Sequence, residues 1–237
     1  MPVSTRIIVL KTTKVGDRSL VVHALSRELG RRSFITGVGG SAAASGGRAS
    51  SSAEAGGLAR RGGGRASMAY WQPLSVLDAE VVENPKSDLW RLRGVSAVYP
   101  LAGLRGDVGR SAVCMFMAEV LYRAVREGAE PELYDWCEKS IVTLDSLEGS
   151  YANYHLRWLL ELCSAMGFTP ALEDLAPFAE SHLRDMAALL GPCDEALLLP
   201  LTGKARSEIA SGLLDYLSAH LEYRLNIRSL AVLGELF

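Results

Sequence analysis

Thr5-Arg-Ile-Ile-Val-Leu-Lys-Thr12, Val15-Gly-Asp-Arg18 and Ser19-Leu-Val-Val-His-Ala-Leu-Ser26 follow one another near the start of the 237-residue chain. The first and last are β-branched segments that read as strands. The middle one is a turn, because glycine supplies a positive φ and aspartate a local backbone hydrogen bond. Arg31-Arg-Ser-Phe-Ile-Thr36 gives a third strand after Arg27-Glu-Leu-Gly30, so the opening reads as an antiparallel meander. A fourth strand is predicted over 70–82, with Pro73 near its start where a lost N–H is tolerated. Asn84-Pro-Lys-Ser-Asp88 then turns the chain into Leu89-Trp-Arg-Leu-Arg-Gly-Val95, the fifth. Five short strands in this space suit a small, partly open barrel.

From residue 98 the period changes. Val113, Met117, Val120, Leu121 and Ala124 mark one helix face. Further helices are predicted over 133–147, 151–166, 176–190, 204–222 and 229–237. The fold class is therefore α+β, an N-terminal five-stranded barrel domain over 1–97 followed by an all-α helical domain over 98–237. Between the third and fourth strands, residues 37–67 break all periodicity, and 24 of these 31 residues are Gly, Ser or Ala. Such a segment buries too little surface to offset its ordering entropy, so a flexible basic loop is expected.

The net charge of −2 is the sum of two unlike parts. Residues 1–70 hold 11 basic and three acidic groups, a net of +8; residues 71–237 hold 14 and 24, a net of −10. Lys11, Lys14, Arg18, Arg27, Arg31 and Arg32 lie on or beside the first three strands, and Arg48, Arg60, Arg61 and Arg65 on the loop. Solubilising surfaces intersperse their signs. A cationic set nearly free of acids points instead to a polyanion, and these ten residues are the predicted DNA contacts. Phe34, Tyr70 and Trp71 are the aromatics available for base stacking, with burial in the barrel the alternative for Trp71.

Catalytic and cofactor patterns do not form. Gly37-Val-Gly-Gly-Ser-Ala42 imitates a dinucleotide fingerprint, but the glycines and serines after it prevent the helix that fingerprint must open. His23, His155, His182 and His220 make no metal spacing. His155 and Cys163 share a helix face about 12 Å apart, too far for a thiolate–imidazole pair. Cys114, Cys137, Cys163 and Cys193 contain no C-x-x-C pair and read as reduced core residues, which excludes a disulfide scaffold. Neither a secretion signal nor a membrane span is present, so a cytoplasmic protein without enzymatic activity, cofactor or metal is expected.

The order of these features resembles the RecO family of bacterial DNA-repair proteins. Ile8-Val-Leu-Lys-Thr-Thr-Lys-Val-Gly-Asp-Arg-Ser-Leu-Val-Val22 and Ser26-Arg-Glu-Leu-Gly-Arg-Arg-Ser-Phe-Ile35 are similar to that family's N-terminal OB-fold. Trp71-Gln-Pro-Leu-Ser75 matches the strand after its basic connection, and Leu214-Asp-Tyr-Leu-Ser-Ala-His-Leu-Glu222 with Arg228-Ser-Leu-Ala-Val-Leu-Gly-Glu-Leu236 matches its closing helices. The resemblance implies a recombination mediator associated with the nucleoid. Such a protein binds single- and double-stranded DNA, anneals complementary strands, engages the acidic C-terminal tail of single-strand-binding protein and, with RecR, helps load RecA. Some members hold zinc in the helical domain; the isolated cysteines argue against it here. Arg123 and Arg126 are the candidates for the acidic tail. A protein-interaction adaptor with a basic barrel and no direct DNA role is the alternative, and a small-molecule enzyme using the glycine-rich segment a remote third.

Overall fold

Alternation of apolar and polar residues builds β1 (Val3–Val15), β2 (Ser19–Ser26), β3 (Gly30–Gly37), β4 (Val76–Val82) and β5 (Trp90–Ala97). The computed structural model describes residues 2–16, 19–37 and 68–237. The loop expected over 37–67 lies, beyond Gly37, outside the described residues. The strands close into a barrel in the order β1-β2-β3-β5-β4. Neighbours are antiparallel except β3 and β5, whose parallel ladder consists of Phe34↔Trp90 and Ile35↔Arg91. This short ladder completes the barrel expected to remain partly open. β1 serves two neighbours: its first half pairs with β4 and the rest with β2, with an irregularity between Val9 and Lys11 where the strand bends.

Inward-facing Ile7, Val9, Leu20, Val22, Ala24, Phe34, Leu77, Ala79, Val81 and Leu92 fill the barrel, and Trp71 joins them. Trp71 does not belong to a strand. Met68–Trp71 is a 3₁₀ turn, and β4 begins only at Val76 rather than at residue 70. Pro73 has no N–H to give a ladder, and Leu74 adopts a left-handed φ of 59°. Leu74 N–H then donates to the Val9 carbonyl at 2.7 Å and Val9 N–H to the Ser75 carbonyl at 2.9 Å, so the turn is stitched to the bend in β1.

On the other face, Ile8, Leu10, Leu25, Leu74 and Val76 pack into the same apolar core as the helices. Those are α1 (Ala102–Gly106), α2 (Val108–Ala124), α3 (Pro131–Ser146), α4 (Tyr154–Ala165), α5 (Leu172–Leu175), α6 (Leu183–Leu190), α7 (Cys193–Leu198), α8 (Gly203–Leu221) and α9 (Ser229–Leu236). The Asp107 carboxylate accepts from Arg110 N–H at 2.7 Å and the Thr202 hydroxyl from Ala205 N–H at 3.1 Å, capping α2 and α8. α2 is buried on more than the predicted face. Ala112, Cys114, Phe116 and Ala118 are covered along with the five marker residues, because β1, α1, α4 and α9 surround it.

One predicted helix is broken. Residues 176–190 contain Pro177, which has no N–H for the ladder; α5 ends before it at Leu175, and the predicted span forms only a 3₁₀ turn at Glu180–His182 and then α6. Cys193, read as a core residue, is exposed at the start of α7, whereas Cys114, Cys137 and Cys163 are buried. At the β2–β3 turn Gly30 has φ +69°, and a Cβ there would lie 1.8 Å from the Gly128 carbonyl oxygen. Only glycine lets the barrel approach the α2–α3 link this closely.

Candidate nucleic-acid interface

The barrel's outer face carries a row of polar residues across three strands. Lys11 on β1 pairs with His23 on β2, which pairs with Ser33 on β3. His23 Nδ1 and the Ser33 hydroxyl share a hydrogen bond of 2.8 Å. Tyr122, near the end of α2, stands over this row. Lys11 Nζ lies 5.1 Å and the Arg31 guanidinium 5.6 Å from its ring centroid, both within cation–π range. The His23 ring is 5.1 Å from it, tilted 59°. Burial, then the charges of Lys11 and Arg31, hold the His23 pKa below its usual 6.5, so it is neutral at pH 7.

Alternation along β3 sends Arg32 to the opposite face from Arg31, and its guanidinium lies 4.2 Å above the ring of Trp90 on β5. Lys14 is exposed near the end of β1, beside the turn at Gly16. Lys11, Lys14, Arg31 and Arg32 make no ion pair among the described residues. Arg91 and Arg93 on β5 are exposed as well and extend the cationic surface. Sequence reasoning missed them, although the alternation in Trp90-Arg-Leu-Arg93 was the signal that both face outward.

The remaining predicted cations are placed otherwise. Arg27 reaches from the β2–β3 turn to α3, where Nε and Nη2 donate to the two carboxylate oxygens of Asp135 at 2.8 and 2.9 Å. This bidentate contact is joined by Arg6, whose Nη1 donates to Glu138 at 2.9 Å and Nε to Asp78 at 3.1 Å. Both arginines therefore tie barrel to helices. Arg123 lies 3.6 Å from Glu119, and Arg126 donates to the Leu221 carbonyl at 3.2 Å. Arg18, Arg48, Arg60, Arg61 and Arg65 lie outside the described residues.

Phe34 and Trp71 are buried in the barrel, which removes them as stacking surfaces; Tyr70 stays partly exposed. The aromatics that stand beside unpaired cations are Trp90 and Tyr122. Among the described residues no group of three or more His, Cys, Asp or Glu is arranged to hold a metal ion. Burial pushes the thiols of Cys114 and Cys163 up to about 12, far from a nucleophile's range. No described helix is long and apolar enough to cross a membrane.

Comparison with known proteins shows what the chain is similar to. Residues 105–177 match the family model for the C-terminal part of recombination protein O. DNA repair protein RecO of Phocaeicola vulgatus is 34% identical over 168 residues, 70% of this chain and 61% of that relative. That of Bacteroides fragilis is 29% identical over 254 residues, 97% of each chain. The Flavobacterium johnsoniae protein of the same name is 26% identical over the full length of both.

Proposed function

Since the chain belongs to the RecO family of DNA repair proteins, we propose that it acts as a recombination mediator by holding DNA on the cationic faces of its barrel. The observation that carries this reading is a division of labour among cations. Arg6 and Arg27 are committed to carboxylates, while Lys11, Lys14, Arg31 and Arg32 have none among the described residues. Unpaired cations on a barrel surface are free to replace condensed counterions along a phosphate backbone. Contacts of that kind hold single and double strands alike, and they leave base edges open for annealing.

In this reading Lys11, Lys14, Arg31 and Arg32 hold the backbone, supplemented by Arg18, Arg48, Arg60, Arg61 and Arg65. Arg27 contributes at the rim while anchored to Asp135. The helical part is the protein platform: Arg123 and Arg126 receive the acidic tail of single-strand-binding protein, and with RecR the complex helps load RecA. The protein works in the cytoplasm, at the nucleoid, without catalysis of its own.

The test is a titration of labelled single-stranded DNA at several salt concentrations. Replacing Lys11, Lys14, Arg31 and Arg32 together by alanine is expected to weaken binding and to flatten the salt dependence by about 0.7 in log–log slope per lost phosphate contact. Unchanged affinity in that variant moves the DNA face elsewhere. Absence of binding by the unmodified protein at low salt overturns the mediator reading.

A further inference from the structure

Lys11, His23 and Arg31 come from three different strands and converge on one side chain, Tyr122 of α2. The groups facing His23 are Lys11 from β1, Arg31 and Ser33 from β3, and Tyr122 from the helix. None of them is paired with a carboxylate among the described residues. Arg31 Nε is buried with no hydrogen-bond partner there. Two like charges thus stand close together with donors left over, an arrangement that an anion relieves. An ammonium and a guanidinium beside one ring offer donors that match the oxygens of a phosphate diester.

We propose that Lys11, His23, Arg31 and Tyr122 form a seat for one backbone phosphate of single-stranded DNA, and that the seat takes up a proton on His23 as it fills. The inference rests on the DNA-binding reading above and deepens it. In the free protein His23 is neutral, disfavoured as a cation by burial and by its two cationic neighbours. A phosphate beside them offsets their field and raises the proton affinity of the ring. The complex then holds a proton that the free protein does not, so affinity falls as pH rises between the free and bound His23 pKa values. The limiting slope is about tenfold per pH unit for one proton. If Lys11 and Arg31 merely stack on Tyr122, no proton is linked to DNA binding.

The experiment measures labelled oligothymidine binding between about pH 5.5 and 8 at fixed ionic strength, the interval in which histidine titrates. The unmodified protein is expected to bind several-fold more tightly at the acid end. His23→Gln is expected to lose the pH dependence across this interval. In parallel, the NMR titration midpoint of the His23 ring should move up when the oligonucleotide is added. Inorganic phosphate at equal phosphate concentration should leave that midpoint in place. A pH dependence kept intact by His23→Gln, an unmoved midpoint in the DNA complex, or a shift as large with inorganic phosphate overturns the seat while leaving DNA binding itself intact. Failure of the unmodified protein to bind at any pH at low salt removes the DNA reading and the seat with it.

Discussion

His155 of α4 is buried, edge-on to Phe116 at 5.8 Å and stacked on Phe237 at 6.5 Å. Burial, reinforced by the nearby Arg206 charge, pushes its pKa down to about 3. In the unfolded chain the ring titrates near 6.5, so below that pH the unfolded state binds a proton that the folded state refuses. Stability is therefore lost as pH falls from about 6.5 toward 3. Between pH 7 and pH 5 the loss from this residue is expected to be roughly 2 kcal/mol, read from urea midpoints, and His155→Phe should remove it. The sequence told only part of this story. Helix spacing separated His155 from Cys163 and ruled out a catalytic pair, but a ring's burial depends on Phe116 and Phe237, which lie 39 residues before it and 82 after it. Arg27 repeats the lesson on the surface. Its neighbourhood in sequence is basic, and nothing there announces Asp135, 108 residues away.

The strands were legible where alternation is strict and the turns are marked by glycine. β1, β2 and β3 form within a few residues of their predicted limits, because Gly16 and Gly30 take the positive φ that the turns require. Legibility fails where tertiary contacts choose between two local options. Tyr70-Trp71 has good strand propensity, yet Trp71 joins the apolar cluster inside the barrel and the segment winds into a 3₁₀ turn instead. Pro177 interrupts the apolar spacing from 176 to 190, and the backbone follows the proline rather than the spacing. The turn at Gly30 is the element most sensitive to change. Gly30→Ala adds left-handed backbone strain and forces Gly128 to move, and together these are expected to cost about 3 kcal/mol, seen as a lowered Tm. The same substitution at Gly16, which has nothing within 4 Å of its Cβ position, should cost less.

At the level of the whole molecule, the barrel and the helices share a core. Ile8, Leu10, Leu25, Leu74 and Val76 lie on the barrel's outer face and are buried by the helical part. Each such side chain contributes about 1.5–3 kcal/mol by leaving water. A fragment of residues 1–97 alone exposes all five as one patch, and we expect it to aggregate or bind a hydrophobic dye, whereas the full chain does neither. The charge split at residue 70 predicts a basic first part and an acidic second, and the described residues include ion pairs between the two. Acidic Asp135 and Glu138 on α3 receive Arg27 and Arg6 from the barrel, so part of the opposite charge is spent at the junction.

The barrel's closure leaves one joint weaker than the others. β3 and β5 are stitched by only two residue pairs, and the Arg32 guanidinium resting on Trp90 adds a side-chain contact across the same gap. If that joint parts, the ring becomes a sheet with two raw margins, each able to accept a strand from another chain. Arg32 is then a clasp as well as a cation, because its stack on Trp90 adds a side-chain contact between the two strands that share the fewest pairs.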